Sequence, residues 1–303
     1  MKILITGHTG LVGSNLYKRL EEGGHELLGL SLDTGCDLRD EAKVDKVIGN
    51  FKPEIVYHLA AMAAESRGQV SPVDMTQRNL GIFVNVLKAS INAGMKKMMY
   101  TSSVAVYGEA GTPYKEDGPT IPKDVYGVNK LAAEQILKIM AKVYDFEYVI
   151  FRPHNIYGPG QMMDDPYKNV VALFMRKLIE GESCTLFGEG KMKRAFSYVD
   201  NVVDVFIQAL KLSDITMNVG STEAISIKEL FYLIQDGSEN EVEVNVLPAR
   251  PQEISMFLAD HALQDALVHY RETPLNVGLQ KTWDWVKKKE LPEVITVEKE
   301  IYV

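Results

Sequence analysis

Apolar residues in this chain fall into short continuous runs, separated by longer stretches in which they recur every three or four positions. Lys2-Ile3-Leu4-Ile5-Thr6 is one such run and Gly7 stops it, the pattern of a strand buried on both faces. Over 11–22, Leu11, Val12, Leu16 and Leu20 share one stripe, which predicts a helix ended by Gly23-Gly24. Runs at 26–30, 55–59, 98–101 and 148–151 read as further strands, the last stopping before Pro153. Between them, Val44, Val47 and Phe51 mark a short helix closed by Pro53. Leu80, Phe83, Val84, Leu87 and Ile91 line one side of a long helix over 75–93, and another helix runs over 126–143. Strands alternating with helices at this spacing predict βαβ units, a parallel sheet and helices on both of its faces. The expectation is a doubly wound α/β core over residues 1–153.

Beyond Pro153 the pattern loosens. Helices are predicted over 170–180, 202–212, 227–235, 260–267 and 278–288, with one strand over 216–219. Lys287-Lys288-Lys289 reads as a solvated helix end. No internal repeat or low-complexity tract is present.

Composition narrows the function. The 303 residues carry 33 basic and 41 acidic side chains, a formal charge of −8. That balance argues against nucleic acid as a partner, because a binder needs a basic face to displace counterions. No apolar run approaches the roughly 18 residues of a membrane span. The opening segment has only three consecutive apolar residues before Gly7, too few for a signal peptide. Cys36 and Cys184 show no CxxC spacing, and the six histidines form no HxxxH or HExxH pair. A cytoplasmic protein without a metal site is expected.

Gly7-His8-Thr9-Gly10-Leu11-Val12-Gly13 joins the first strand to the first helix. Glycine suits each of its positions: Gly7 for the tight turn, Gly10 for close approach of a diphosphate, Gly13 for packing of helix on sheet. The helix N-terminus behind them offers free N–H groups and a positive dipole end. The spacing is GxxGxxG rather than GxGxxG, and its place at the head of a βαβ unit gives it meaning as a dinucleotide site. Asp33 and Asp37 follow the second strand at the distance from which an acidic residue reaches the adenosine ribose; turn chemistry beside Gly35 accounts for them equally. No basic residue follows that strand until Arg39, so a 2′-phosphate has no evident partner and NAD is expected rather than NADP.

Tyr126-Gly127-Val128-Asn129-Lys130 is a YxxxK, a spacing met about once by chance in a chain of this composition. Its setting gives it weight. It opens a helix after a strand ending in Thr101-Ser102-Ser103, at the carboxyl edge where α/β folds bind ligands, and its two side chains share one helix face.

Taken with His58-Leu59-Ala60-Ala61, Thr101-Ser102-Ser103-Val104-Ala105-Val106-Tyr107-Gly108, Arg152-Pro153-His154-Asn155-Ile156-Tyr157-Gly158-Pro159 and Arg194-Ala195-Phe196-Ser197-Tyr198-Val199-Asp200, these motifs cover most of the chain in order. The sequence resembles the extended short-chain dehydrogenase/reductase family, in its nucleotide-sugar epimerase/dehydratase branch. The resemblance implies a Rossmann-type sheet over 1–153 plus about 196–222, and a smaller α/β nucleotide-sugar-binding domain over 154–195 plus about 223–303. It implies catalysis by Ser103, Tyr126 and Lys130. Tyr126 would be the base that takes the sugar hydroxyl proton, Ser103 its hydrogen-bonding partner, and Lys130 the cation that favours phenolate and holds the nicotinamide ribose. A phenol of ordinary pKa near 10 needs about 4 kcal/mol of such help to act near neutrality. For NAD, the resemblance implies Gly7, Thr9, Gly10, Leu11, Val12, Asp33, Asp37, Leu38, Leu59, Ala60, Ala61, Asn79, Thr101, Tyr126, Lys130 and Pro153. For the substrate it implies Ser103, Tyr126, Asn155, Asn169, Phe187, Arg194, Arg250 and Phe257. Surface ion pairing for Arg194 and Arg250, and core packing for Phe187, remain open; His154 reads as a pocket wall.

Val104 and Ala105 stand where the family's dehydratases carry Asp-Glu, so dehydration is not expected. The expected reaction is inversion at C4 of a UDP-hexose through a 4-keto sugar, with Phe257 limiting room at C2. A reductase, or an epimerase of another nucleotide sugar, is the alternative, and a non-catalytic dinucleotide sensor a further one. The helices at 75–93 and 126–143 would pair across a two-fold axis in a homodimer.

Overall fold

A computed structural model describes residues 1–63, 71–108, 110–163, 169–238, 240–249 and 256–291. Along the chain run β1 (Lys2–Thr6), α1 (Leu11–Glu22), β2 (Glu26–Leu30), α2 (Glu41–Phe51), β3 (Ile55–His58), α3 (Pro72–Thr76), α4 (Ile82–Asn92), β4 (Lys97–Thr101), α5 (Val125–Tyr144) and β5 (Glu147–Pro153). Then come β6 (Ile156–Tyr157), α6 (Val170–Glu180), β7 (Cys184–Phe187), β8 (Lys193–Ala195), β9 (Ser197–Tyr198), α7 (Val199–Gln208), β10 (Ile215–Val219), β11 (Ala224–Ser226), α8 (Ile227–Ser238), β12 (Val244–Leu247), β13 (Met256–Phe257), α9 (Ala262–Leu267) and α10 (Leu275–Val286).

Six strands form one parallel sheet in the order β10-β5-β4-β3-β1-β2. The chain starts at β1, moves outward to β2, then returns to β3 on the other side. The carboxyl ends of β1 and β3 therefore flank a topological switch point, where open α/β sheets bind ligands. One face of the sheet packs on α2, α4 and α5 through Val44, Ile48, Phe83, Val86, Leu87, Ala133 and Leu137. The other packs on α1 and α7 through Leu16, Leu20, Val202 and Phe206, and this core continues into α6, α8 and α10 through Phe174, Phe231 and Trp283. Strands buried on both faces are continuous apolar runs, which is why the sequence shows them plainly.

The remaining strands form small sheets, β11-β8-β13, β12-β7 and β6-β9. At two to four residues each, they lie below the length at which periodicity is readable. β5 continues through Pro153 rather than stopping before it, because Pro153 pairs with Val219 at the end of β10, next to the sheet's edge. The long helix expected over 75–93 is broken: α3 gives way to a π turn at Gln77–Gly81 before α4 begins. Asn79 causes the break. Its Nδ2 donates to the Met75 carbonyl at 3.0 Å while its Oδ1 accepts from the Met62 N–H at 3.0 Å. The side chain thus takes a carbonyl that a regular helix gives to a backbone N–H.

Candidate active site

The loop after β1 is shaped by what its glycines leave out. Gly7 has φ +70°, and a Cβ there would lie 2.8 Å from the Ala60 nitrogen. A Cβ on Gly13 would lie 2.1 Å from the Gly7 carbonyl oxygen. Gly10 caps α1 without any side-chain hydrogen bond, so the first-turn N–H groups face the cavity unspent. Thr9 Oγ1 donates to Asp33 Oδ2 at 2.7 Å, tying this loop to the turn after β2. Asp37 is clasped by Arg39, whose Nη2 donates at 2.6 Å. The Arg39 hydrogen bonds hold the Asp37 carboxyl down to about 2. Arg39 also faces Asp74 at 3.9 Å, so the first basic residue after β2 is spent on two carboxylates.

At the end of β3, Leu59 N donates to Thr6 O at 3.2 Å and Ala60 N to Thr6 Oγ1 at 3.3 Å. His58 lies buried, 3.0 Å from Thr6 Oγ1. Burial and the Lys130 charge push it down to about 3, so it is neutral.

Helix α5 starts at Asp124, whose Oδ1 accepts from Gly127 N at 2.7 Å, a cap of about 1 kcal/mol. Gly127 lets the helix approach the turn at 104–106: a Cβ would lie 2.6 Å from Ala105 O. That contact sets Tyr126 against Ala105 and Met75. Ser103 stands at the head of the same turn, its Oγ accepting from Ala105 N at 3.1 Å. Lys130 is buried, and its Nζ donates to Thr101 O at 2.6 Å, 5.7 Å from the Tyr126 ring centre. Burial draws the ammonium down to about 7, against the opposing pull of Glu134.

A cavity of about 670 Å³ runs from the glycine loop to the small sheets. Of the expected residues it brings together Gly7, Gly10, Leu11, Val12, Leu59, Ala61, Thr101, Ser103, Tyr126, Lys130, Pro153, Asn155, Asn169, Phe187 and Arg194. It does not reach Thr9, Asp33, Asp37, Leu38, Ala60 or Asn79. Asn79 instead braces the loop after β3. Asn155, at φ 38°, donates to Ala195 O at 2.8 Å. Asn169 spends both ends of its amide, capping α6 at Val171 N and donating to Ile156 O, so it acts on the cavity by fixing its wall. Phe187 ends β7. Arg194 lies on β8, between β11 and β13. Arg250 and the Phe257 side chain lie outside the described residues. His154, expected in the pocket wall, turns away from it: Nε2 lies 3.1 Å from His261 Nε2 and Nδ1 3.3 Å from Ser197 Oγ. Burial pushes it down to about 3.

The cavity also holds residues the sequence did not single out, among them Ala63, Gln161, Thr185, Met192 and Phe196. Gln161 lies on the turn after Gly158-Pro159-Gly160, where no motif position marked it. Tyr126, Lys130 and Arg194 are the only ionisable side chains in the described lining. No group of three or more metal-ligating side chains occurs among the described residues, and no described helix is long and apolar enough to cross a membrane.

Residues 3–220 match the model of the NAD dependent epimerase/dehydratase family, and the chain belongs to that family. It is 32% identical to UDP-glucose 4-epimerase of Mycolicibacterium smegmatis, over 95% of this chain and 99% of that protein. Its fold matches the structure of Thermotoga maritima UDP-glucose 4-epimerase with UDP-glucose at a TM-score of 0.90 and 26% identity, covering 95% of this chain and 99% of that one. The structure of UDP-N-acetylglucosamine 4-epimerase from Methanobrevibacter ruminantium matches at 0.85 and 27%, covering 94% and 98%. NAD is the family's cofactor, and the site fits it. The Gly7 and Gly13 cradle has no room for side chains, the α1 N-terminus is uncapped, and Thr101 Oγ1 and Gln161 Oε1 are buried in the lining without a partner.

Proposed function

We propose that this protein inverts C4 of a UDP-hexose, interconverting UDP-glucose and UDP-galactose through a transient 4-keto sugar. The observation that carries the reading is the lining itself: one phenol and one lysine at the reacting end, with no Asp, Glu, His or Cys among the described lining residues. Dehydration, or inversion at a carbon beside the keto group, needs a further acid or base to remove a carbon-bound proton. Inversion at C4 needs only a proton carrier for the hydroxyl. NAD, when bound, supplies the acceptor and donor of the C4 hydride.

Tyr126 takes the C4 hydroxyl proton and later returns it. Ser103 hydrogen-bonds the same hydroxyl. Lys130 stabilises the phenolate and holds the nicotinamide ribose. Gly7, Thr9, Gly10, Leu11 and Val12 surround the cofactor diphosphate, and Asp33 holds the adenosine ribose. Asp37, the second acidic residue after β2, and Leu38 would hold the adenosine end of the cofactor with it. Leu59, Ala61, Thr101 and Pro153 form the floor, with Ala60 fixed behind it by Thr6 and Asn79 as a brace. On the substrate side, Asn155, Arg194 and Arg250 hold the second diphosphate, Asn169 fixes the wall and Phe187 packs beside the base. Arginine suits the forked phosphate contact. The engagement of Arg39 by Asp37 and Asp74 supports NAD over NADP, and so epimerase over reductase.

Gly13→Ala is expected to weaken NADH binding at least tenfold in fluorescence titration, because helix or loop must shift to admit the methyl group. Product analysis by NMR over a panel of nucleotide sugars tests the substrate. UDP-glucose and UDP-galactose are expected to interconvert with higher kcat/KM than UDP-N-acetylglucosamine, Phe257 limiting room at C2. A preference for the acetamido sugar contradicts the hexose assignment.

We further infer a cytoplasmic homodimer. Val128, Ile139 and Val143 on α5 are 50%, 62% and 66% exposed, and Val84 on α4 is 40% exposed, an apolar stripe suited to a two-fold helical interface. Ile139→Glu is expected to convert the dimer to monomer in sedimentation velocity; an unchanged dimer places the interface elsewhere.

A further inference from the structure

Behind the reacting end of the cavity lies a buried charged network that none of the steps above uses. Glu134 follows Lys130 by one helical turn on α5 and is 1% exposed; Arg152 on β5 is 3% exposed. Arg152 grips the carboxylate with two bonds, Nε to Oε1 at 3.0 Å and Nη2 to Oε2 at 2.7 Å. Ser102 Oγ donates to Oε1 at 2.5 Å, so the residue before Ser103 is held by the same carboxylate. Arg152 Nη1 donates to Tyr107 Oη at 2.8 Å, and Tyr107 Oη donates to Asn218 Oδ1 at 2.7 Å. Asn218 Nδ2 in turn donates to the carbonyls of Tyr114 and Asp260, each at 3.0 Å.

An ion pair taken out of water is often no more stabilising than a pair of apolar side chains of the same volume. Its place here, one turn from a buried lysine, suggests another use. The groups facing Lys130 can be named element by element. On α5 they are Tyr126 and Glu134. On β4 they are the Thr101 carbonyl and the Tyr100 ring, whose centre is 5.1 Å from Nζ. On β3 there is neutral His58, and on β5 Arg152, which reaches Lys130 only through Glu134. Among the described residues, Glu134 is the one carboxylate that acts on Lys130. Arg152 and Ser102 fix where that carboxylate sits.

We propose that Glu134, clamped by Arg152 and Ser102, is a positioning residue for the reaction: it keeps Lys130 charged in a dry site and holds the end of β4, where Thr101 receives the ammonium. The proposal rests on the reading of Lys130 as the cation beneath the cofactor. The carboxylate opposes the loss of the Lys130 proton that burial favours, and the two Arg152 bonds keep it in place. Removing only Glu134 would leave Arg152 facing Lys130 with its charge unbalanced. Removing both charges would take away the attraction without adding that repulsion.

The test uses the full-length protein with Glu134→Gln, with Glu134→Gln/Arg152→Met, and with Lys130→Met as control. NADH affinity is read by fluorescence titration and turnover by UDP-galactose conversion, each from about pH 6 to 9. In Glu134→Gln the alkaline limb of both profiles is expected to move down by about one pH unit, a tenfold loss on that limb. In the double variant it is expected to move about half as far. The double variant leaves no unbalanced charge, so the test stands if Glu134→Gln alone fails to fold. A folded variant with reduced thermal stability and an unmoved limb overturns the proposal and leaves the Lys130 reading intact. Full NADH affinity and turnover in Lys130→Met overturn that reading, and the proposal with it.

Discussion

Tyr126→Phe is expected to lower turnover by about 10²–10⁴-fold, the range for loss of a general acid–base group, while NADH affinity changes less than about twofold. The substitution removes one oxygen from the described lining and leaves the ring packed against Met75 and Ala105. The loss would therefore be chemical rather than structural. No described carboxylate, imidazole or thiol lines the cavity to take over the proton. Steady-state kinetics and cofactor titration on the same preparation separate the two quantities. Undiminished turnover would remove Tyr126 as the base and leave only the hydroxyls of Thr101, Ser102 and Ser103 in the described lining at that end.

Lys130→Met is expected to move activity and stability in opposite directions. Turnover should fall by at least about 10²-fold, because the phenolate loses its nearest fixed cation. The cofactor-free protein should become more stable. Burial lowers the Lys130 ammonium in the folded state to about 7, against about 10.4 in the unfolded chain. Between those values the unfolded chain binds more protons, so the wild-type protein gains stability from this group as pH rises through the window. Below about pH 7 the folded protein carries the full cost of a buried ammonium, of order 2–4 kcal/mol once its bond to Thr101 offsets part of it. The variant's advantage in urea unfolding should be largest there and vanish above about pH 10. Equal stability near pH 6 would mean that Glu134 and Thr101 together compensate the ammonium fully.

The parallel sheet was legible because its strands are buried on both faces and so appear as unbroken apolar runs between glycines. The phosphate loop was legible because a Cβ is forbidden at Gly7 and Gly13, and sterics of that kind leave a mark in composition. That Ser103, Tyr126 and Lys130 share one cavity was legible through spacing, their place after β4 and the family resemblance. What stayed hidden depends on partners far apart in sequence. Asn79 was expected at the cofactor, yet it bonds Met62 and opens a π turn, a choice made by the loop after β3. Arg39 is claimed by Asp74, 35 positions further on. Arg152 and Glu134 each read as ordinary members of a strand and a helix, and only the crossing of β5 with α5 makes them a pair. The short strands β6–β9 and β11–β13 owe their existence to neighbours rather than to their own two to four residues, so no local pattern announces them.

C4 inversion is tested most directly by incubating the purified protein with UDP-galactose deuterated at C4 and following the sugar by proton NMR. UDP-glucose is expected to accumulate with the deuterium still on C4, since the hydrogen leaves and returns as hydride rather than as an exchangeable proton. Formation of any product with C4 unchanged, or of UDP-glucose whose C4 deuterium has been replaced by solvent protium, would contradict the proposed reaction.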